Sequence, residues 1–278
     1  MNKSFSLTRS LIATPHVVWC VLFVLAPLAF VVYYAFTDTA GAFTLNNIQT
    51  VFSTEYLRVF LQSIYYSLIA TAICLLIAYP LAYCIAQAKE RFQTTLVMML
   101  MLPMWINLLI RTYSLKILLE ENGLINRLLS VFGIEPITML GTGGAIVLGM
   151  VYNYLPYMVI PIYTVLAKID RSVLEASRDL GCNTLQSFFR VVMPLSISGV
   201  ISGITMVFVP SISTFFISQS LSDGRIRLVG DIIEQQIGLH TTASYNLGSA
   251  ISFILMILIL ISMFVTNRFG DKDGEVAI

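Results

Sequence analysis

Long apolar runs alternate with short polar stretches along the whole chain. Six runs contain about 20 or more mostly apolar residues, the length that a helix needs to cross a bilayer. They lie at about residues 13–36, 60–86, 95–118, 144–166, 195–218 and 247–266. Because a helix satisfies all its backbone hydrogen bonds internally, runs of this length favour helices over strands. The pattern predicts an all-α polytopic membrane protein with about six transmembrane helices, forming a single domain over residues 1–278.

Prolines lie inside most of these runs, at Pro27, Pro80, Pro103, Pro156, Pro161 and Pro210. Proline removes a backbone donor and would break a helix in a soluble protein. In membrane spans it is tolerated, because neighbouring helices satisfy the freed carbonyl groups. The prolines are therefore compatible with the six spans, and Pro103 marks a place where the third span can kink toward a central cavity.

Basic residues are unevenly distributed between the two sides of these spans. If the amino terminus is inside, ten lie on the inner side: Lys3, Arg9, Lys89, Arg91, Lys168, Arg171, Arg178, Arg190, Arg268 and Lys272. Four lie outside: Arg58, Arg127, Arg225 and Arg227. Cytoplasmic loops carry the excess of Lys and Arg, and an even number of spans places both termini on one side. We therefore expect both termini in the cytoplasm.

The first span has one competing interpretation, a cleaved signal peptide. Residues 40–42, with the sequence AGA, follow the span and match an A-x-A cleavage pattern. However, the apolar region of a signal peptide has only about 7 to 15 residues, and this run is longer. We expect an uncleaved helix.

Composition and cysteine usage exclude several classes of function. The chain is 57% hydrophobic and 11% charged, too apolar for an ordinary soluble domain. A net charge of +1 gives no reason to expect a nucleic-acid partner. Cys20, Cys74, Cys84 and Cys182 fall in apolar spans or in a predicted cytoplasmic segment, so neither a disulfide nor a metal site is predicted.

No catalytic machinery is predicted in the sequence. The only histidines are His16 and His240, which we interpret as structural, so a Ser-His-Asp triad is hard to assemble. No G-x-x-x-x-G-K-[ST] loop is present, so any ATP must be bound by another subunit. A membrane enzyme would need ionisable residues clustered at one depth, and the spans show no such cluster.

A polar segment interrupts the apolar pattern at about residues 168–194. Its stretch SVLE, at residues 172–175, predicts a capping box that starts a short helix at Ser172. In that helix the small or apolar face consists of Val173, Ala176, Ser177 and Leu180, while Glu175, Arg178 and Asp179 point away. Gly181 predicts the left-handed end of the helix, and Asn183 with Gln186 predicts the capping box of a second one.

The segment EASRDLGCNTLQSFFRVVMP resembles the EAA loop of ATP-binding-cassette importer permeases, which is written E-A-A, three residues, G, nine residues, I-x-L-P. Ser177 replaces the second alanine, Val191 the isoleucine and Met193 the leucine. The resemblance implies a type I importer permease fold and a cytoplasmic coupling loop that contacts a separate ATPase. The implied contact residues are Glu175, Ala176, Ser177, Arg178, Asp179 and Gly181. The alternative is a loop that packs on the membrane surface, or merely docks a partner, in a protein without transport activity.

Nearly the whole chain resembles the spermidine/putrescine permeases, most clearly in LPMWINLLIRTYSLKILLEENGLIN, residues 102–126. Permeases for molybdate, sulfate, iron or phosphonates share the fold and the loop, so they remain alternatives. The resemblance implies a multi-pass protein of the bacterial inner membrane that carries no cofactor of its own. It also implies the partners: a dimer of ATPase subunits, a second homologous permease, an extracytoplasmic polyamine-binding protein, the polyamine and membrane lipid.

A polyammonium substrate needs carboxylates, aromatic faces or carbonyl groups along its path. The spans offer no convincing Asp or Glu, so aromatic and amide side chains are the candidates for the pathway. They are Trp105, Asn107, Tyr113, Tyr152, Asn153, Tyr154 and Phe215, with helix packing or interfacial positions as the alternative role. Arg111 does not suit a cation pathway. We expect it near the outer interface or paired, for example with an acid of an outer loop.

Overall fold

The structure is a computed structural model that describes residues 14–238 and 244–274. Lys3, Arg9 and His240 lie outside the described residues, so the expectations for them rest on sequence alone. Strand pairing within the described residues is limited to an isolated antiparallel bridge between Thr37 and Phe43. The prediction of an all-α protein is confirmed.

The described helices, in chain order, are α1 Thr14–Ala35, α2 Asn46–Val51, α3 Thr54–Gln87, α4 Glu90–Met101, α5 Leu108–Leu119, α6 Leu124–Val131, α7 Gly143–Leu166, α8 Arg171–Asp179, α9 Thr184–Leu195, α10 Ile197–Ile212, α11 Phe216–Ser222, α12 Val229–Ile237 and α13 Tyr245–Gly274. Four of them, α1, α3, α7 and the Tyr245–Thr266 part of α13, are long and apolar enough to cross a membrane unaided. Two bent pairs bring the number of spans to six if each pair forms one span. The prediction of about six transmembrane segments agrees with that number.

The third predicted span is broken. After α4 the chain forms a 3₁₀ turn at Leu102–Trp105, with Pro103 in its first positions, and becomes extended at Ile106. Helix α5 then starts behind Asn107, whose side-chain oxygen accepts a hydrogen bond from the Leu109 backbone N–H at 2.8 Å. The Glu90–Trp105 and Leu108–Val131 segments meet at 88°. The third span predicted over 95–118 is therefore present as a bent pair of helices, and the kink expected at Pro103 is present.

The fifth predicted span also differs from the structure. Helix α10 ends at Ile212, and α11 starts at Phe216 after a short irregular segment. Before α10, the chain turns by 63° between Thr184–Leu195 and Ile197–Ile212. The predicted run over 195–218 therefore contains one helix and the first residues of another.

The described residues form two compact groups. The first contains the described residues up to Leu57 together with Ile232–Ile257. Within it, Asn246 donates through Nδ2 to the Thr37 carbonyl oxygen at 2.6 Å, and the Phe36 and Phe253 rings lie 5.4 Å apart. The second group contains Arg58–Asp231 and the described residues from Leu258, and it holds the candidate site.

Helices α7 and α10 form the centre of the second group. Gly199 and Gly203 make a G-x-x-x-G pattern on α10, which allows two helix backbones to approach closely. A Cβ atom on Gly199 would lie 2.8 Å from the Pro161 carbonyl oxygen, and one on Gly203 would lie 2.6 Å from the Met158 sulfur. The small residues therefore set the separation of α7 and α10, which in turn fixes where the loop between them starts and ends.

Candidate coupling site and translocation pathway

The first helix of the polar loop starts slightly earlier than predicted. Its N-cap is Asp170, whereas the sequence predicted a start at Ser172. The Asp170 side chain accepts a hydrogen bond from the Ser172 backbone N–H at 2.9 Å, and α8 begins at Arg171. Ser172 thus lies inside the first turn, and the predicted box between Ser172 and Glu175 is wrong. The physical reason is competition, because an aspartate in extended backbone just ahead of a serine caps at least as well.

The hydrogen bonds from Ser172, first from its backbone and then from its side chain, lower the pKa of the Asp170 carboxyl below its ordinary value. A lowered folded-state pKa means that the cap stabilises the helix at neutral pH and loses that effect as the pH falls through the folded pKa. Since Asp170 is fully exposed, solvent screens the effect. The cap is therefore present throughout the physiological pH range.

Gly181 ends α8, as predicted from the sequence. Its φ is +86°, in the left-handed region that favours glycine. The Gly181 N–H donates to the Arg178 carbonyl oxygen at 2.8 Å, and the Cys182 N–H donates to the Ser177 carbonyl oxygen at 3.1 Å. These two bonds form a Schellman motif, which satisfies the last carbonyl groups of the helix. The turn therefore sets the direction of the chain into α9.

The start of α9 also agrees with the sequence prediction. Asn183 Oδ1 accepts from the Gln186 backbone N–H at 2.8 Å, and Gln186 Oε1 accepts from the Asn183 backbone N–H at 3.0 Å. The capping box fixes the first turn of α9 immediately after the glycine. Both ends of the connection between α8 and α9 are thus held by local hydrogen bonds.

Ser177 makes a contact that was not predicted from the sequence. Its hydroxyl lies 2.8 Å from the hydroxyl of Ser187 on α9, and it also donates to the Leu174 carbonyl oxygen at 2.8 Å. Both serines are buried. Ser177 therefore faces inward and joins the two helices, instead of sharing an exposed face with Val173, Ala176 and Leu180. The sequence clue to this contact is weak. It consists of two serines that lie ten residues apart on either side of the Gly181 turn.

Large apolar side chains of the loop are exposed beside its exposed charged residues. Leu180 is 86% exposed and Phe189 is 59% exposed, both far more than expected of large apolar side chains in a folded domain. We define the exposed apolar face as Val173, Ala176, Leu180, Leu185 and Phe189. Glu175, Arg178 and Asp179 are also exposed around it. An apolar patch rimmed by charged residues is typical of a protein–protein contact.

The predicted pathway residues fall into two groups. Trp105, Tyr113, Tyr152 and Phe215 present exposed aromatic side chains, and Trp105, at 79% exposure, lies at the break in the third span. Asn107 and Asn153 are held by hydrogen bonds within their own segments, and Tyr154 contacts α10. Among the described residues, Trp105 makes no ring contact with Tyr152 or Tyr154. The structure therefore supports Trp105 as an accessible aromatic surface and leaves the predicted grouping across a cavity as a prediction.

Asn153 and Tyr154 lie in the packed interior of α7. Asn153 donates through Nδ2 to the Gly149 carbonyl oxygen at 2.9 Å and more weakly to Thr112 Oγ1 at 3.4 Å. The Tyr154 hydroxyl is 3.5 Å from the Pro210 carbonyl oxygen. These contacts join α7 to α5 and α10, so both side chains help to hold the helices together.

The comparison with known families decides what kind of protein this is. Residues 78–272 match the family described as binding-protein-dependent transport system inner membrane component. The chain belongs to this family. The match covers more than half of the chain and includes the polar loop, so the predicted importer permease fold and inner-membrane location are confirmed. The chain is thus a component of membrane transport.

Relatives of known function are similar to this permease over almost its entire length. The spermidine/putrescine transport system permease protein PotB of Haemophilus influenzae is 35% identical over 275 residues, covering 96% of this chain and 94% of the relative. PotB of Escherichia coli is 35% identical over 269 residues, covering 93% and 97%. The inner membrane ABC transporter permease protein YdcU of Escherichia coli is 27% identical, covering 87% and 82%.

Solved structures share the fold of this permease. A chain of the bacterial alginate ABC transporter, in complex with an alginate pentasaccharide-bound periplasmic protein, matches with a TM-score of 0.80 at 15% identity. The match covers 97% of the permease and 95% of that chain. The MetNI methionine ABC transporter, in an inward-facing conformation, matches with a TM-score of 0.59 at 14% identity, covering 78% and 95%.

Arg111 of the permease was expected to lie near the outer interface or to be paired, and the structure bears only on the pairing. Its side chain is only 6% exposed, and its Nε and Nη1 atoms have no hydrogen-bond partner among the described residues. Asp223, an acid of the loop between α11 and α12, forms an ion pair with Lys116 at 2.8 Å. Within the described part of this chain Arg111 therefore forms no ion pair, although burial of an unpaired guanidinium is costly, and its place near the outer interface stays a prediction.

Asp231 is a buried carboxylate that was not predicted from the sequence. It accepts from the Ser218 hydroxyl at 2.9 Å and from the Leu228 backbone N–H at 2.7 Å. The second bond satisfies the N-cap backbone donor of α12, a common role for an acidic residue at the third helical position. The sequence clue is its position three residues after the N-cap. Asp231 therefore anchors the start of α12.

Proposed function

We propose that this chain is a membrane-spanning permease subunit of an ATP-driven polyamine importer, in which it forms half of the translocation pathway. The observation that carries the proposal is its 35% identity, over nearly the whole chain, to permeases of spermidine/putrescine transport systems. The chain supplies no nucleotide site of its own in this proposal. ATP is bound by a dimer of separate ATPase subunits, and a second homologous permease completes the pathway.

The coupling loop supports the ATPase contact. Its exposed apolar face projects from two short helices whose relative direction is fixed by the Gly181 turn and the Asn183 capping box. A rigid apolar projection suits a groove in a partner protein, because little conformational entropy is lost on docking. In the proposal, Glu175, Arg178 and Asp179 surround this contact. Ala176 lies within it, and Ser177 and Gly181 hold its shape.

The side of the membrane and the remaining partners follow from the same proposal. The excess of basic residues supports a cytoplasmic position for the loop and both termini, on the side where the proposal locates the ATPase. An extracytoplasmic polyamine-binding protein delivers the substrate on the other side. This partner is supported by the fold-related alginate transporter, whose structure includes a substrate-bound periplasmic protein.

Co-purification tests whether the chain is a transport subunit or merely a docking protein. The chain is expressed with its second permease and the ATPase, extracted in detergent and captured through a tag on this chain. We expect the ATPase to be retained and its hydrolysis to rise when the complex, in lipid vesicles, meets spermidine-loaded binding protein. If the ATPase is retained but its hydrolysis is not stimulated, the chain is a docking protein without transport activity. If hydrolysis is stimulated only by another solute, such as sulfate or molybdate, the chain belongs to an importer for that solute.

Glu175→Ala is expected to weaken ATPase retention with little effect on the stability of the permease. Glu175 is exposed and, contrary to the sequence prediction, takes no part in the cap of α8. Its loss therefore removes an interface group, with an exposed ion-pair contribution of about 0.2–1 kcal/mol, or up to about fivefold in affinity. Retention in detergent at graded salt is the measurement.

Glu135→Ala is the matched control for Glu175→Ala, since Glu135 is an exposed acid in the loop between α6 and α7. That variant should retain the ATPase as the wild type does. Equal retention by the two variants at every salt concentration contradicts a role for Glu175 at the contact.

Trp105→Leu is expected to lower the rate of polyamine uptake, and Trp105→Phe to restore part of it. An ammonium group over a tryptophan face gains about 0.5 kcal/mol when exposed and about 2 kcal/mol when desolvated, which corresponds to a factor of about 2 to 30. Phenylalanine retains a weaker aromatic face, whereas leucine has none. The measurement is spermidine uptake by vesicles, normalised to the amount of assembled complex.

Since Trp105 is largely exposed, neither substitution should affect folding. Full uptake by Trp105→Leu, or a loss that only follows the loss of assembly, identifies Trp105 as a packing or interfacial residue. In that case the aromatic pathway is wrong at this position.

A further inference from the structure

The ring of Phe188 connects the coupling loop to the long helix α3. It lies edge-on to Tyr79 at a centroid distance of 5.5 Å and edge-on to Tyr83 at 5.4 Å. Edge-to-face contacts of this geometry contribute beyond the burial of area and restrain the direction of each ring. Phe188 is therefore held by two tyrosines one helical turn apart on α3.

The same two tyrosines lie on either side of a proline in α3, and Tyr79 also contacts the bend before α10. Pro80 lies between them, inside the helix, where it removes a backbone hydrogen bond. The Tyr79 hydroxyl lies 2.6 Å from the hydroxyl of Ser196, which is fully buried. Ser196 separates α9 from α10 at the 63° turn. Tyr79 thus contacts both the coupling loop and the start of α10.

Within the coupling loop, Phe188 is part of α9 and is linked to α8 through its neighbour Ser187. Its neighbour Phe189, on the exposed apolar face, packs edge-on to it at 5.1 Å. Ser187, the residue before it, is joined to Ser177 of α8 by the buried hydroxyl pair at 2.8 Å. These contacts connect Phe188 both to α8 and to the exposed apolar face.

The backbone at Phe188 is itself unusual. Residues Phe188–Val192 form a π-helical turn within α9, with Arg190 at its centre. Single π-helical turns inside α-helices are rare and frequently occur at functional sites. The turn rotates the side chains that follow it relative to a regular α-helix, and it starts at the residue that contacts α3.

We infer that Phe188 is a positioning residue for coupling: held between Tyr79 and Tyr83, it transfers movement of the coupling loop to α3 and, through Tyr79 and Ser196, to α10. The inference rests on the proposed function, in which ATPase closure moves the loop. Phe188 does not contact the ATPase in this scheme. It therefore affects how hydrolysis is linked to transport and leaves the affinity for the ATPase unchanged.

The test uses the complete importer in lipid vesicles, with Phe188→Leu compared with Phe188→Tyr. Leucine preserves an apolar side chain but removes both ring contacts, whereas tyrosine preserves the ring. We expect Phe188→Leu to retain the ATPase and its basal hydrolysis, while stimulation by spermidine-loaded binding protein falls about two- to tenfold, the factor that corresponds to aromatic contacts of this type. The number of spermidine molecules imported per ATP should fall with it, and Phe188→Tyr should restore both quantities.

Tyr65→Leu is the matched control, because Tyr65 is an exposed aromatic residue of the same helix, remote in sequence from the loop contacts. It should leave stimulation unchanged. Should Phe188→Leu fail to assemble, Tyr83→Leu removes one of the two ring contacts from the α3 side and is expected to lower stimulation in the same way.

Wild-type stimulation in Phe188→Leu or Tyr83→Leu overturns the inference and leaves the proposed function intact. Loss of ATPase retention in parallel with stimulation also overturns it, since Phe188 then supports docking. Absence of stimulation in the wild-type complex contradicts the proposed function itself, and with it the inference that rests on it.

Discussion

Gly181→Val is expected to remove most of the stimulation of ATP hydrolysis by substrate-loaded binding protein, while the ATPase stays bound. Gly181 has φ +86°, and a Cβ atom at this position would meet no heavy atom within 4 Å. The expected defect therefore comes from the backbone and not from a clash. An L-residue in this region costs about 1–2 kcal/mol, and a β-branched one is more strongly disfavoured. The turn is expected to leave the left-handed region, which redirects α9 and separates Ser177 from Ser187.

Gly133→Val is the matched control for this substitution. Gly133 has φ +73° and, like Gly181, an open environment, but it lies between α6 and α7, away from the coupling loop. It should carry a similar local strain and retain normal stimulation. Gly181→Asn, which tolerates the left-handed region better, should recover part of the coupling. Wild-type stimulation in Gly181→Val contradicts the assignment of Gly181 as the residue that sets the loop geometry.

Gly230→Ala is expected to lower the stability of the permease strongly. A Cβ atom on Gly230 would lie 2.5 Å from the carbonyl oxygens of both Ser213 and Thr214. Because both atoms belong to the backbone, no side-chain rotation relieves the contact. Overpacking of this kind costs about 1–3 kcal/mol. It would move the start of α12 away from the segment between α10 and α11.

The effect of Gly230→Ala is measured as the melting temperature of the purified permease complex in detergent, together with folded yield. Gly144→Ala is its matched control, since a Cβ there would meet only the Thr142 hydroxyl at an ordinary 3.7 Å. Equal melting temperatures for the two variants contradict the close approach at Gly230.

The broken third span shows what an apolar run cannot specify. The run over 95–118 is mostly apolar, and its composition does not distinguish a straight helix from two helices that meet at 88°. Pro103 indicates a weak point but does not give the angle, because proline in membrane helices is tolerated in either arrangement. Asn107 is the missed local clue, since it is a good N-cap residue just ahead of α5.

In the coupling loop, too, the sequence predicted the local features but not the contacts between distant residues. The left-handed Gly181 and the capping box of Asn183 and Gln186 were predictable, because each depends on neighbours a few residues apart. The contact of Ser177 with Ser187 depends on the rotation of α8 relative to α9, which hydrophobic periodicity does not determine. The contact of Phe188 with Tyr79 joins residues more than a hundred positions apart, so only the tertiary structure reveals it.

The most direct test of the central claim is ATP-dependent uptake of radiolabelled spermidine and putrescine by vesicles that contain this chain, its second permease, the ATPase and the binding protein. The proposal predicts saturable uptake of at least one of the two polyamines. Uptake should require ATP on the side of the coupling loop and should disappear when this chain is omitted. Uptake of sulfate, molybdate, iron or a phosphonate by the same vesicles, with neither polyamine transported, would contradict it.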